Sequence, residues 1–183
     1  MILRWLLLVL LITSSYGVNN TVTKYVKQLE TMGADKQELI RSIYKSAEPY
    51  DLGYSLVAIA WKESNLGEWM INITDGKHGS FGLYHIRLDY ALVRNKITSS
   101  WDKSRYAEKL LYDFNVSTAE AISLLIYWYN YHKSSPDRWK RTYGSYNGGF
   151  KVSKQSKAYA DDIGYRIQAL RIYIKKYHKD LLK

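Results

Sequence analysis

Glu63 stands where a carboxylate needs an explanation. Leu52, Leu56, Ile59, Ala60 and Glu63 recur at intervals of three and four, so a helix here places Glu63 on the same stripe as four apolar side chains. Ser64-Asn65-Leu66-Gly67 reads as the end of that helix, which brings carbonyl dipoles close to the carboxyl group. Burial and those dipoles both favour the protonated form, making Glu63 a candidate general acid near neutral pH. Two glycine-punctuated stretches could complete a site around it. Gly79 to Ile86 contains Ser80, Gly82, Tyr84 and His85, and an imidazole can change its charge close to physiological pH. Ser145-Tyr146-Asn147-Gly148-Gly149 sets a ring and a hydroxyl beside an amide that both donates and accepts; Asn-Gly is equally the signature of a plain turn. Asp75 and Asp89 are the nearest candidates for a second carboxylate. No histidine pair has metal-ligand spacing and no glycine loop precedes a Lys-Ser/Thr pair, so neither a metal nor a cofactor is implied.

The elements that must position these groups are helical. Val22, Val26 and Leu29 give a weak stripe between Asn19 and Met32, and Asp35 with Glu38 reads as a capping box for a helix through about Lys45, closed by Pro49. Gly53 to Asn65 is the Glu63 helix, followed by a loop from Gly67 to Gly82. Leu83 to about Val93 can resume as a helix. Ser99 with Asp102 starts the next, through Ala107, Leu110, Leu111 and Phe114, and Ser117 with Glu120 reads as another capping box. Ala121 to Tyr131 is apolar almost all round, which predicts a helix at the centre of the domain. Pro136 suits the first turn of a segment through Trp139 to Tyr143, Gly144 to Gly149 reads as a second break, and a long final helix from about Ser156 carries Ile163, Ile167, Leu170 and Ile174. No alternation is long enough for a major sheet. The expected fold is mainly α.

Length and composition set the frame. A chain of 183 residues with two prolines and no cysteine fits one domain stabilised by its own core. Its 46% hydrophobic and 24% charged residues exclude a disordered chain or a multispanning membrane protein. The formal charge of +10 draws the protein toward polyanions, whether nucleic acid, anionic membrane or bacterial wall. The basic residues are scattered from Lys24 to Lys183 without a nucleic-acid motif, so nucleic acid is not expected as a partner. Eighteen tyrosines and six tryptophans suit either a carbohydrate cleft or simple packing. Residues 1–17 read as a signal peptide: Arg4 supplies the positive start, Trp5 to Ile12 the apolar run, and Ser15 and Gly17 the small residues before cleavage at Val18. An uncleaved anchor is the competing reading. After cleavage, residues 18–183 form one exported domain with no stable membrane span, expected as a monomer.

Four stretches in order carry a resemblance. Glu63-Ser64, then Gly79-Ser80-Phe81-Gly82-Leu83-Tyr84-His85-Ile86, then Ser145-Tyr146-Asn147-Gly148-Gly149, then Tyr159 followed by Ile163, resemble the ordered motifs of lytic transglycosylases with the soluble-type catalytic domain. The resemblance spans about residues 36–173. It implies a single-domain lysozyme-like α-helical fold with a substrate cleft, acting on peptidoglycan glycan strands in the periplasm or cell wall, or outside the cell in a phage or secreted setting. It implies Glu63 as the sole catalytic acid and base, with Ser64, Ser80, Gly82, Tyr84, His85, Tyr146, Asn147 and Tyr159 around the substrate. Two departures stand out: Tyr84-His85 occupies a place where the family usually has Met-Gln, and Ser145 and Gly148 replace alanines. A muramidase on the same fold, or a wall-binding component without catalysis, are the alternative functions. A secretion, conjugation or phage apparatus is the kind of assembly such a protein serves.

Overall fold

The computed structural model describes residues 19–151 and 153–182, so the signal peptide expected over residues 1–17 lies outside the described residues. Among those described, the chain forms eight α-helices: α1 (Asn20–Glu30), α2 (Ala34–Ala47), α3 (Gly53–Ser64), α4 (Leu88–Arg94), α5 (Ser100–Tyr112), α6 (Phe114–Tyr131), α7 (Arg138–Gly148) and α8 (Lys154–Tyr177). Three two-residue strands lie between α3 and α4: β1 (Ile71–Asn72), β2 (Ser80–Phe81) and β3 (Ile86–Arg87). They form a small antiparallel sheet in chain order, with Ile71 opposite Phe81 and Phe81 opposite Ile86. The expectation of a mainly helical single domain holds.

The centre of the molecule is α3. Leu56, Val57, Ala58, Ile59, Ala60 and Trp61 are consecutive and all buried, a run that no helix with a solvent face can show. Helices α2 and α8 pack against it, and α8 also joins α1 and α7. Each large aliphatic side chain enclosed this way contributes about 1.5–3 kcal/mol. The sequence had pointed to Ala121–Tyr131 for this role. In α6, Ala121, Ile122 and Leu125 are buried but Ile126, Tyr127 and Tyr131 are exposed. Apolar composition misled because the outer side chains are largely aromatic: Tyr131 packs on the equally exposed Phe150 with ring centres 5.3 Å apart, and a tyrosine tolerates water at its polar edge.

Two helix starts differ from their expected caps. Gly33, in an extended conformation, precedes α2, which puts Asp35 inside the first turn, where its charge still favours the helix dipole. Asp113 caps α6 by accepting from the amides of Asn115 and Val116, so Ser117 and Glu120 lie inside the helix. Ser99 does cap α5, accepting from the Asp102 amide at 3.1 Å. Ser153 and Ser156 form a reciprocal box that starts α8. The region expected to resume as a helix at Leu83 instead turns and enters β3 before α4 begins at Leu88. Gly144 to Gly149 does not break the chain either. Residues 145–148 are the last turn of α7, which ends at Gly149 with φ +64°.

Candidate functional site

Helix α3 ends one residue after Glu63. Asn65 and Leu66 both adopt left-handed backbone angles, and the Leu66 amide closes back onto the Ala60 carbonyl at 3.2 Å. The buried Ser64 hydroxyl donates to the Leu83 carbonyl at 2.8 Å and accepts from the Gly67 amide at 3.0 Å, tying the helix end to the following turn. Glu63 itself is not in the core. Its side chain keeps 16% of its exposure and opens into a pocket shared with Asp75, His85, Arg87, Tyr90, Leu124, Trp128, Ser145, Tyr146 and Asn147. The pocket is narrow: the cavity open to a water-sized molecule measures about 40 Å³.

Both carboxyl oxygens of Glu63 have neighbours. The Tyr159 hydroxyl, from α8, donates to Oε1 at 2.5 Å. His85 Nδ1 lies 3.5 Å from Oε2, and His85 Nε2 lies 2.6 Å from the Trp69 carbonyl. Burial acts to lower the pKa of His85, but the Glu63 carboxylate beside it, the hydrogen bond to the Trp69 carbonyl and the charge of Asp75 outweigh burial and leave it raised. Burial, reinforced by the Glu63 charge, pushes the phenols of Tyr146 and Tyr159 well above their ordinary value. Both therefore stay protonated and donate.

Of the residues singled out from sequence, Glu63, His85, Tyr146 and Asn147 share the pocket, and Tyr159 reaches Glu63 from behind. Tyr146 presents only its ring, because its hydroxyl donates to the Tyr84 carbonyl at 2.9 Å. Ser64, Ser80, Gly82 and Tyr84, expected around the substrate, are buried and are not among the residues that line the pocket. Tyr84 is the clearest difference from expectation. Its ring is fully enclosed and its hydroxyl pairs with Thr118 at 3.0 Å, so it anchors the turn to α6. Gly82 is required by its surroundings: with φ +80°, a Cβ there would stand 2.0 Å from the Leu110 carbonyl oxygen.

Arg87, Tyr90, Leu124 and Trp128 went unrecognised in the sequence. Arg87 donates to Asp89 at 2.6 Å and to the Tyr90 hydroxyl at 3.2 Å, with its guanidinium 4.3 Å from the Tyr90 ring centre. The spacing of Arg87 and Tyr90, three apart after the Gly-Leu-Tyr-His turn, is the signal that could have found that pair. Asp75 shares the pocket and lies 3.8 Å from Arg87 Nε, while Asp89 holds the same guanidinium at 2.6 Å. Among the described residues, no group of three or more His, Cys, Asp or Glu could hold a metal ion, and no helix is long and apolar enough to cross a membrane. Comparison with known proteins returns no matching family model, no matching curated protein and no matching solved structure.

Proposed function

We propose that this protein is an exported peptidoglycan lytic transglycosylase of lysozyme-like fold, with Glu63 as its acid and base. The observation that carries the reading is the meeting of sequence-distant motifs at one carboxylate: Glu63 lies in the last turn of the central helix, Tyr159 donates to it from α8, and His85, Tyr146 and Asn147 line the same pocket. In this reading the pocket is the reactive part of a cleft for glycan strands. The ring of Tyr146 and the exposed amide of Asn147 meet the sugar carrying the N-acetyl group.

Chemistry follows from one carboxyl group used twice. Protonated Glu63 gives its proton to the glycosidic oxygen between N-acetylmuramic acid and N-acetylglucosamine, and the leaving sugar departs with the bonding electron pair. The N-acetyl group of the muramoyl sugar assists at the anomeric carbon. Glu63, now ionised, takes the proton of the 6-hydroxyl as that oxygen closes a 1,6-anhydro ring. Water is not consumed. Tyr159 keeps the carboxyl oriented through both transfers.

A muramidase is the second reading, and Asp75 favours it: a second carboxylate lining the pocket could activate water. Mass spectrometry of digested cell walls separates the two. Anhydro-muramoyl ends are expected, reducing ends alone would transfer the assignment to the hydrolase, and walls left intact would sink both.

A further inference from the structure

We propose that His85 is a positioning residue acting through Glu63, whose carboxyl it holds and with which it shares a single proton; this deepens the reading of Glu63 as the acid and rests on it. The geometry starts at Trp69. A carbonyl oxygen can only accept, so the contact of 2.6 Å means that His85 Nε2 carries hydrogen in either charge state of the ring. What remains variable is Nδ1, and Nδ1 faces Glu63 Oε2 at 3.5 Å. A proton held between the two groups can sit on Nδ1, beside a carboxylate, or on Oε2, beside a neutral ring.

The backbone makes this arrangement rigid. The Trp69 amide donates to the Ser64 carbonyl at 3.0 Å, adjacent to Glu63, while the Trp69 carbonyl receives His85. Glu63, Trp69 and His85 thus close a ring of contacts referenced to the end of α3. His85 meets that demand with φ +45°, a left-handed conformation unfavourable to a residue other than glycine. Such strain persists where the surrounding contacts over-determine it. The titratable and charged groups around the ring come from several elements: Glu63 of α3, Asp75 of the β1–β2 loop, Arg87 of β3, Tyr90 of α4, Tyr146 of α7 and Tyr159 of α8. Asp75 and Glu63 favour an imidazolium; Arg87 opposes it but is itself paired with Asp89.

In the reaction, the Nδ1 proton moves to Glu63, which passes it to the glycosidic oxygen as the C–O bond breaks, leaving a carboxylate beside a neutral ring. The proton of the attacking hydroxyl then goes to Glu63 and back to Nδ1. The pair ends as it began.

Nitrogen NMR of the full chain labelled in histidine tests this without substrate. The neutral ring of His85 should be the Nε2–H tautomer, and its titration midpoint should lie above about 6.5 and fall by about one unit or more in Glu63→Gln. On cell walls, the alkaline limb of kcat/KM should move to lower pH by about one unit in His85→Gln, whose amide can still donate to Trp69. A purely structural role would scale the profile without moving that limb. A His85 midpoint unchanged by Glu63→Gln overturns the proposal. Walls left intact by the wild type, with the NMR linkage present, would remove the substrate assignment and leave the pairing standing.

Discussion

Glu63 and Glu120 are two enclosed glutamates on neighbouring parts of one core, and their surroundings are opposites. Glu120, on α6, accepts at Oε1 from Asn95 at 2.9 Å and from Tyr106 at 2.5 Å, while Arg94 pairs with Oε2. Every partner is a permanent donor, and together they bind α4 and α5 to α6. Glu63 has one such donor, a titratable ring on its other oxygen, and an open pocket in front. Their side-chain exposures are close, 16% for Glu63 and 10% for Glu120. Burial therefore does not separate the proposed acid from the structural carboxylate. The difference lies in whether the neighbours can give and take a proton.

The largest expected effect breaks the comparison directly. Glu63→Gln keeps the shape of the side chain and should lower the rate of wall cleavage by about two to four orders of magnitude, with the helical circular dichroism unchanged. Glu120→Gln should leave the rate intact. Retention of more than about a tenth of the activity by Glu63→Gln would mean that the wrong acid was chosen, and Asp75 would be next to mutate.

Gly82 is the seam between the two regions, because it packs on the Leu110 carbonyl of α5 and the Ser117 hydroxyl of α6 while its own amide holds the Met70 carbonyl at 2.8 Å. Gly82→Ala must push backbone away from backbone in a left-handed conformation. A loss of about 3 kcal/mol or more is expected in urea unfolding, with activity lost alongside it. An alanine variant of wild-type stability would show that the turn is looser than its contacts indicate.

The contrast between the glutamates was half legible in sequence. Glu63 could be found because a carboxylate interrupts an apolar stripe, which is a local pattern. Its partners Tyr159 and His85 were reachable only through the ordered motifs, since Tyr159 lies 96 residues away and only folding brings it within hydrogen-bond reach. Tyr84 and His85 show the finest limit. They are adjacent, one enclosed in the core and one in the pocket, and which side each takes depends on a turn whose geometry is set by Gly82 and by contacts with α5 and α6. Capping boxes failed at Asp35 and Ser117 for a related reason: the pattern is short, and Gly33 and Asp113 already occupied the helix starts. Helix content and the long final helix were secure because their periodicity extends over many residues.

Glu120→Ala comes next in size. It deprives Arg94, Asn95 and Tyr106 of a shared acceptor, but Arg94 keeps 38% of its side-chain exposure and can turn to water. The loss should be about 2 kcal/mol, less than the cost of breaking a fully enclosed pair. Urea unfolding measures it. A neutral result would mean that the network is ornamental and that the two glutamates differ less than their partners suggest.

The smallest effect sharpens the comparison most, because it removes a single permanent donor from Glu63. Tyr159→Phe deletes the hydroxyl that holds Oε1 and leaves the ring packed in the core. The pocket admits water, which can replace part of that hydrogen bond, so the full strength of a bond to a charged group is not at stake. A fall of about tenfold in kcat, equivalent to about 1.4 kcal/mol, is expected, with KM little changed because the phenol supports the acid rather than the sugar. Stability should stay within about 1 kcal/mol of the wild type. If KM rose and kcat held, Tyr159 would be a sugar contact, and Glu63 would be oriented by His85 alone.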